Sequence, residues 1–153
     1  MVQIFTPENR LAPILGGLAG ETPNQLIAEA DARVGALRGV IRNYVAKGLE
    51  VIAGYATADE SILFAESATL GDVARGVAEI AGAAGMETIG EIACGICAMI
   101  ESLTTNGVWH TEALRVHINA LKLVNQGAVG RDATDDAILR RLSAVRAAVG
   151  VLD

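Results

Sequence analysis

Two histidines, His110 and His117, are the side chains of this sequence best suited to proton or phosphoryl transfer near neutral pH. On a helical wheel, His117 lies between Leu121 and Val124, in the middle of an apolar arc. This position favours a core or interface histidine that is hydrogen-bonded to a carbonyl or hydroxyl group. His117 is still the candidate phosphoacceptor of the chain, whereas His110 precedes a helix and is typical of a loop.

The segment Cys94-Gly95-Ile96-Cys97 matches the C-x-x-C pattern of thiol redox enzymes and zinc sites. Redox motifs of this type stand at the N-terminus of a helix, where the thiol pKa is lowered, but these cysteines fall in the middle of a predicted helix. A zinc site needs about two further ligands, and the nearest histidine, His110, stands alone. We therefore predict that the cysteines pack in the core or at its boundary, and we predict no metal site.

The remaining glycines and acidic residues form no recognisable catalytic site. Gly16-Gly17 and Gly71 have neither the spacing nor the preceding strand of a phosphate loop. Acidic side chains recur where helices are expected to face water, and such residues have no general acid or base role. These are Asp59, Glu60, Glu66, Glu87 and Glu91. The sequence predicts a protein that is not an enzyme and needs no cofactor.

Apolar residues recur at steps of three and four along most of the chain, which predicts an all-α fold. The predicted class is an antiparallel helical bundle with a four-helix core, one additional helix and an irregular N-terminal arm. Residues 1–20 form the arm and residues 21–153 a single domain. The predicted helices are approximately 23–52, 60–69, 70–84, 87–103, 111–126 and 134–149. The second and third could be one helix bent near Gly71.

Composition supports this class and limits the partners. The chain is 52% hydrophobic but only 3% aromatic, so Ala, Val, Ile and Leu must form the core. The net charge of −6 and the absence of a Lys/Arg run disfavour nucleic acid as a partner. No signal-peptide pattern and no apolar stretch long enough to cross a membrane is evident, so we expect a cytoplasmic protein.

The predicted third helix has two distinct faces. Val73, Val77, Ile80 and Ala84 cluster on one side of the wheel and are expected to face the core. The other side is nearly flat, because it carries small residues around one arginine. It comprises Gly71, Arg75, Ala78 and Gly82, beside Glu79.

The region from Val77 to Ile100 resembles the centre of histidine phosphotransfer (Hpt) domains, which are four-helix bundles. Their phosphorylated helix reads His-x-Leu-Lys-Gly, often followed by Ala-Ala-Gly. Ile80 and Gly82 occupy the Leu and Gly places, and Ala83-Ala84-Gly85 follows. The later segment Cys97-Ala98-Met99-Ile100-Glu101 is also similar to the family pattern.

The phosphorylated histidine of the Hpt pattern corresponds here to Ala78, and its lysine corresponds to Ala81. Phosphotransfer at that position is therefore chemically impossible. The whole chain is also similar to CheE-like small helical proteins of bacterial chemotaxis operons. Leu15-Gly16-Gly17 before a long helix and Val116-His117 in a late helix carry that likeness.

These resemblances imply a non-catalytic signalling adaptor that retains a docking surface without the phosphoacceptor. Its partner would be a response-regulator receiver domain or a chemotaxis component, contacted through Gly71, Arg75, Ala78, Glu79 and Gly82. Two alternatives stay open at this stage. One is an active phosphotransfer protein that uses His117, and the other is a structural homodimer joined through Gly/Ala-rich surfaces.

Overall fold

The computed structural model describes residues 23–127 and 133–151. These residues contain helices and turns but no β-strand, so the predicted all-α class is confirmed. Six α-helices are present in the described ranges. They are α1 (Pro23–Gly54), α2 (Glu60–Ala65), α3 (Ser67–Ala81), α4 (Glu87–Asn106), α5 (Thr111–Asn125) and α6 (Ala133–Ala148). Short 3₁₀ turns follow α1 at Tyr55–Thr57 and α3 at Gly82–Ala84.

Helix α1 begins at Pro23, whose fixed φ and missing N–H suit the first helical position. Thr22, a hydroxyl residue before Pro23 that the sequence predicts as the cap of this helix, and the predicted arm of residues 1–20 lie outside the described residues. The chain divides into two compact units, Met1–Leu37 and Arg38–Asp153. In the first unit, the described residues 24–37 are all exposed.

In the second unit, the C-terminal half of α1 packs against α3. Val45, Leu49 and Ile52 are buried in the core. Gly48 lies so close to α3 that a Cβ atom built on it would stand 2.6 Å from Cγ2 of Val77. The glycine therefore leaves room for the side chain of Val77 against α1.

Two helices are present here as predicted, although they meet earlier than expected, and the alternative of one helix bent near Gly71 is wrong. Helix α2 ends at Ala65 and α3 starts at Ser67, and Glu66 between them leaves helical geometry at φ −96° and ψ 8°. Gly71 is inside α3, where its backbone continues the helix. The backbone N–H of Leu70 still donates to the carbonyl of Glu66, so the two short helices remain closely joined.

Helix α4 is the centre of the bundle and contacts α3, α5 and α6. It starts after Gly85, which has the left-handed φ of 72° expected of a residue that ends the preceding helical segment. It ends at Gly107, where φ is 67°. Its inward side is lined by Ile89, Ile92, Ile96, Met99 and Ile100.

Helices α5 and α6 complete the core on the other side of α4. Leu114, Ile118 and Leu121 of α5 are buried, as is Leu142 of α6. After α6 the chain turns at Gly150, with a φ of 79°, and buries Val151 in the same core. The sequence predicts Asp132 or Thr134 as the cap of this last helix, but Thr134 lies inside α6 and Asp132 lies outside the described residues.

Candidate functional site

The inward face of α3 differs from the prediction. Its buried residues are Leu70, Gly71, Ala74, Val77 and Ala81. Val73 and Ile80, which we expected in the core, are only half-buried. The buried arc is thus rotated by roughly 80° around the helix toward the small residues.

The rotation arises because small residues let α3 and α4 approach closely. A Cβ atom on Gly71 would stand 3.3 Å from Cγ2 of Ile100, and one on Gly90 would stand 3.4 Å from Cβ of Ala81. Because these glycines have no Cβ atom, the surfaces of α3 and α4 come into direct contact, where many small dispersion contacts add up. Gly71 is therefore buried against α4, and its assignment to an outward docking surface was wrong.

Three of the predicted docking residues are exposed on α3 and the turn after it: Arg75, Glu79 and Gly82. Ala78 lies between them and is half-buried against the core. We call these four residues the docking face. No atom outside the local backbone lies within 4 Å of the position of a Cβ on Gly82, so this part of the docking face is open.

Arg75 on the docking face is held by two carboxylates. One of its guanidinium nitrogens lies 3.4 Å from Asp72, and another lies 3.1 Å from Glu101 of α4. All three side chains are exposed, so water screens these ion pairs and each contributes little to stability. The pairs nevertheless orient the arginine along the outer edge of α3 and α4, where a partner carboxylate could replace them.

His117 has no exposed surface, as its position on the apolar arc predicts. Its Nδ1 lies 2.8 Å from the carbonyl oxygen of Ala113, and its Nε2 lies 3.5 Å from a guanidinium nitrogen of Arg146. This arrangement fits the neutral tautomer in which Nδ1–H donates to the carbonyl and Nε2 faces the cation. A phosphoryl donor could reach the imidazole only after the surrounding helices moved apart.

The environment of His117 also keeps the ring uncharged. Burial lowers its pKa below the ordinary value of 6.5, and the charge of Arg146 acts in the same direction. The hydrogen bond to Ala113 opposes both effects but does not cancel them. In the folded protein, His117 is therefore a neutral structural side chain that links α5 to α6.

Gly95 of α4 makes room for this imidazole. A Cβ atom on Gly95 would stand 3.0 Å from Cδ2 of His117 and 2.7 Å from a guanidinium nitrogen of Arg146. The sequence pattern alone predicts no role for Gly95 or Arg146. Gly95 is the glycine inside the C-x-x-C segment, so the segment does contain a residue that matters for the fold. The buried imidazole of His117 requires a residue without a side chain at this position.

The two cysteines flanking this glycine have different environments. Cys94 is exposed, whereas Cys97 is half-buried, with its thiol 3.8 Å from the carbonyl oxygen of Gly71. Burial raises the pKa of Cys97 to about 11, although the nearby Arg75 opposes the shift. Cys97 thus packs at the boundary of the core as predicted, whereas the prediction is wrong for Cys94, which is exposed. Both residues lie well inside α4, away from the N-terminal position of redox motifs.

We expect the two thiols to differ strongly in reactivity. Since the thiolate is the nucleophile, Cys97 should react with iodoacetamide at pH 7.5 at least roughly 100-fold more slowly than Cys94. Mass spectrometry of Cys94→Ser and Cys97→Ser proteins over time measures this difference, because each variant retains one thiol. Equal labelling rates in the two variants would contradict the burial of Cys97.

A shallow groove of about 380 Å³ lies where α2 meets the start of α5. Thr111 is central to it, since its hydroxyl donates to a carboxylate oxygen of Glu60 at 2.7 Å and accepts from Nε1 of Trp109 at 3.0 Å. Trp109 also packs edge-to-face against Phe64, with ring centroids 5.5 Å apart. These polar groups bond to one another and join the two helices, and His110 is exposed beside them as the residue before α5.

Within residues 23–127 and 133–151, no group of three or more His, Cys, Asp or Glu side chains could hold a metal ion. In the same part of the chain, α4 is the one helix long and apolar enough to cross a membrane. However, 56% of its apolar window is buried inside the protein, as in the core helix of a soluble bundle.

Comparison with known proteins gave no match: no family model, curated protein or solved structure is detectably similar to this chain.

Proposed function

We propose that this protein is a non-catalytic signalling adaptor of the cytoplasm that binds a receiver domain or a chemotaxis component through the docking face. The observation that carries the proposal is the open surface at Gly82, near the exposed Arg75 and Glu79 of α3. In the Hpt pattern that this region resembles, the corresponding surface meets the receiver domain. Ala78 replaces the phosphoacceptor, so docking is the activity that can be retained.

The surroundings of His117 disfavour the alternative of active phosphotransfer. An acceptor must present an imidazole nitrogen to the phosphoryl donor, but both ring nitrogens face other groups of this chain inside the bundle. We therefore place the proposed function on the docking face alone.

The alternative of a homodimer joined through Gly/Ala-rich surfaces also has less to support it. Gly71, Ala74 and Ala81 of α3 are buried. Gly71 and Ala81 are used within one chain to bring α3 and α4 together. Of the small residues in this region, Gly82 and Ala83 are the exposed ones on the turn that follows.

Gly82→Arg tests the docking face, since it places a long cation on the open surface without displacing any neighbour. We expect the wild-type protein to bind at least one purified receiver domain or chemotaxis component in calorimetry, assayed with and without beryllofluoride. The variant should bind at least roughly tenfold more weakly, because a bulky charge at the centre of an interface prevents close packing. Its melting temperature should be no lower than that of the wild type, because arginine has a higher helix propensity than glycine.

Asn119→Arg is the matched control, because Asn119 is exposed on α5 and gains the same charge. It should bind with wild-type affinity. The proposal fails if no partner of these two classes binds. It also fails if Gly82→Arg binds as tightly as the control.

A further inference from the structure

Helix α1 carries a stripe of exposed apolar side chains along its first two-thirds. The stripe consists of Leu26, Ile27, Val34, Leu37, Val40 and Tyr44, which are between 46% and 65% exposed. The stripe extends over residues 26–44 of α1. Contiguous apolar surface of this kind marks a site of protein association.

The stripe follows the seven-residue repeat of a coiled coil. With Ile27 at position a, the a positions are Ile27, Val34 and Ile41, and the d positions are Ala30, Leu37 and Tyr44. Leu26 and Val40 fall at position g, beside this seam. None of the exposed large apolar residues from Leu26 to Tyr44 falls at b, c, e or f. A sustained a/d pattern indicates pairing with another helix.

Two members of the seam are partly engaged within their own chain. Ile41 is half-buried against the core, and the hydroxyl of Tyr44 lies over Gly76 of α3. Tyr44 still exposes more than half of its surface. Val34 and Leu37 are 48% and 59% exposed and lie midway along the stripe, so we place the centre of the pairing site between them.

We propose that two copies of this chain pair in antiparallel orientation through this stripe of α1. In that arrangement Val34 lies opposite Leu37 of the second copy, and Ala30 lies opposite Ile41 of the second copy. Each of these two contacts then occurs twice in the dimer. The two occurrences are related by the twofold axis that a symmetric dimer requires. This proposal is independent of the docking face, which is on α3.

The charged residues beside the seam favour a second copy of this chain as the partner. They also favour the antiparallel orientation over the parallel one. In an antiparallel pair, e positions face e positions, so Asp31 faces Arg38 of the second copy, and the same pair recurs by symmetry. In a parallel pair, g positions face e positions, so Arg33 would face Arg38 twice with like charge. The antiparallel dimer thus gains two opposite-charge contacts where the parallel dimer has two repulsions.

Sedimentation equilibrium of the full chain tests the pairing. We expect a dimer mass at micromolar concentrations, and Leu37→Glu should raise the dimer dissociation constant at least roughly 100-fold, because it puts a charge in the centre of the seam. Leu37 is exposed, so the helical content of the variant should be unchanged in circular dichroism. Ala32→Glu is the matched control on the opposite side of α1 and should remain dimeric.

Charge variants test the orientation. Asp31→Arg and Arg38→Asp should each weaken the dimer roughly tenfold, and the double variant should restore it, because the opposite-charge pairs reform. A parallel dimer would instead be strengthened by Arg38→Asp alone, since Arg33 would then face a carboxylate.

Several results would overturn the proposal. One is a monomer mass at a protein concentration of about 100 micromolar. The others are a dimer that Leu37→Glu leaves intact and a dimer that Arg38→Asp strengthens. If the chain is a monomer and removal of residues 1–22 makes it dimeric, the N-terminal segment is the occupant of the stripe and the proposal is likewise wrong.

Discussion

Replacement of Gly48 by alanine is expected to destabilise the fold by about 1–2 kcal/mol, which is the result of two opposing effects. Alanine stabilises a helix interior by about 0.5–1 kcal/mol relative to glycine. Here, however, its Cβ would stand 2.6 Å from Cγ2 of Val77, a buried and stiff β-branched side chain. Overpacking of this kind costs about 1–3 kcal/mol, so the steric effect outweighs the helix propensity.

Gly39→Ala is the matched control for Gly48→Ala. Gly39 belongs to the same helix, but nothing lies within 4 Å of the position of its Cβ. This variant should gain the helix propensity without the clash and melt at a higher temperature than the wild type. Thermal unfolding of the three proteins by circular dichroism decides the matter. If both variants shift the melting temperature in the same direction, the packing of Val77 against Gly48 is wrong.

Most helices could be predicted from the sequence because branched apolar residues recur at helical spacing. Helix α4 shows where this reasoning loses accuracy. We placed its end at Leu103, since Thr104–Val108 is polar, but it continues to Asn106. The side chains of Thr104 and Thr105 both donate to the carbonyl of Glu101, which lets them remain in the last turn. Gly107 then ends the helix.

The orientation of α3 could not be predicted in the same way. A wheel that weights branched residues puts Val73 and Ile80 in the core, but the helix instead turns Gly71 and Ala81 toward α4. Small side chains contribute to packing because they let a neighbouring helix come close. Whether it does so depends on the surface of that neighbouring helix. A sequence pattern in α3 alone does not contain that surface.

The dependence on neighbouring helices also explains which features of the candidate sites could be predicted from the sequence. The burial of His117 follows from residues on its own helix, so the sequence predicted it correctly. Its contact with Arg146, 29 positions away, depends on how α5 and α6 pack. The pairing of Arg75 with Glu101, 26 positions away, likewise depends on the packing of α3 against α4.

The stability of the protein is expected to fall as the pH decreases below about 6.5, in part because of His117. Burial lowers the pKa of this imidazole in the folded state, whereas the unfolded chain binds the proton at the ordinary value of 6.5. The contribution of the neutral ring is therefore fully present above pH 6.5. It is lost as the pH falls from there toward the lower pKa of the folded state, by at most about 1.4 kcal/mol per pH unit.

His117→Gln tests this linkage, and His110→Gln is the matched control because His110 is exposed outside the bundle core. Denaturant unfolding between pH 7.5 and 5.5 should show His117→Gln less stable than the wild type at pH 7.5 by about 1–3 kcal/mol, since it loses the buried imidazole and its hydrogen bond to Ala113. Its stability should then change less with pH than that of the wild type, whereas His110→Gln should follow the wild-type curve. Parallel pH dependences for His117→Gln and the wild type would show that the buried ring takes up a proton as readily as the unfolded chain does, which contradicts its desolvation.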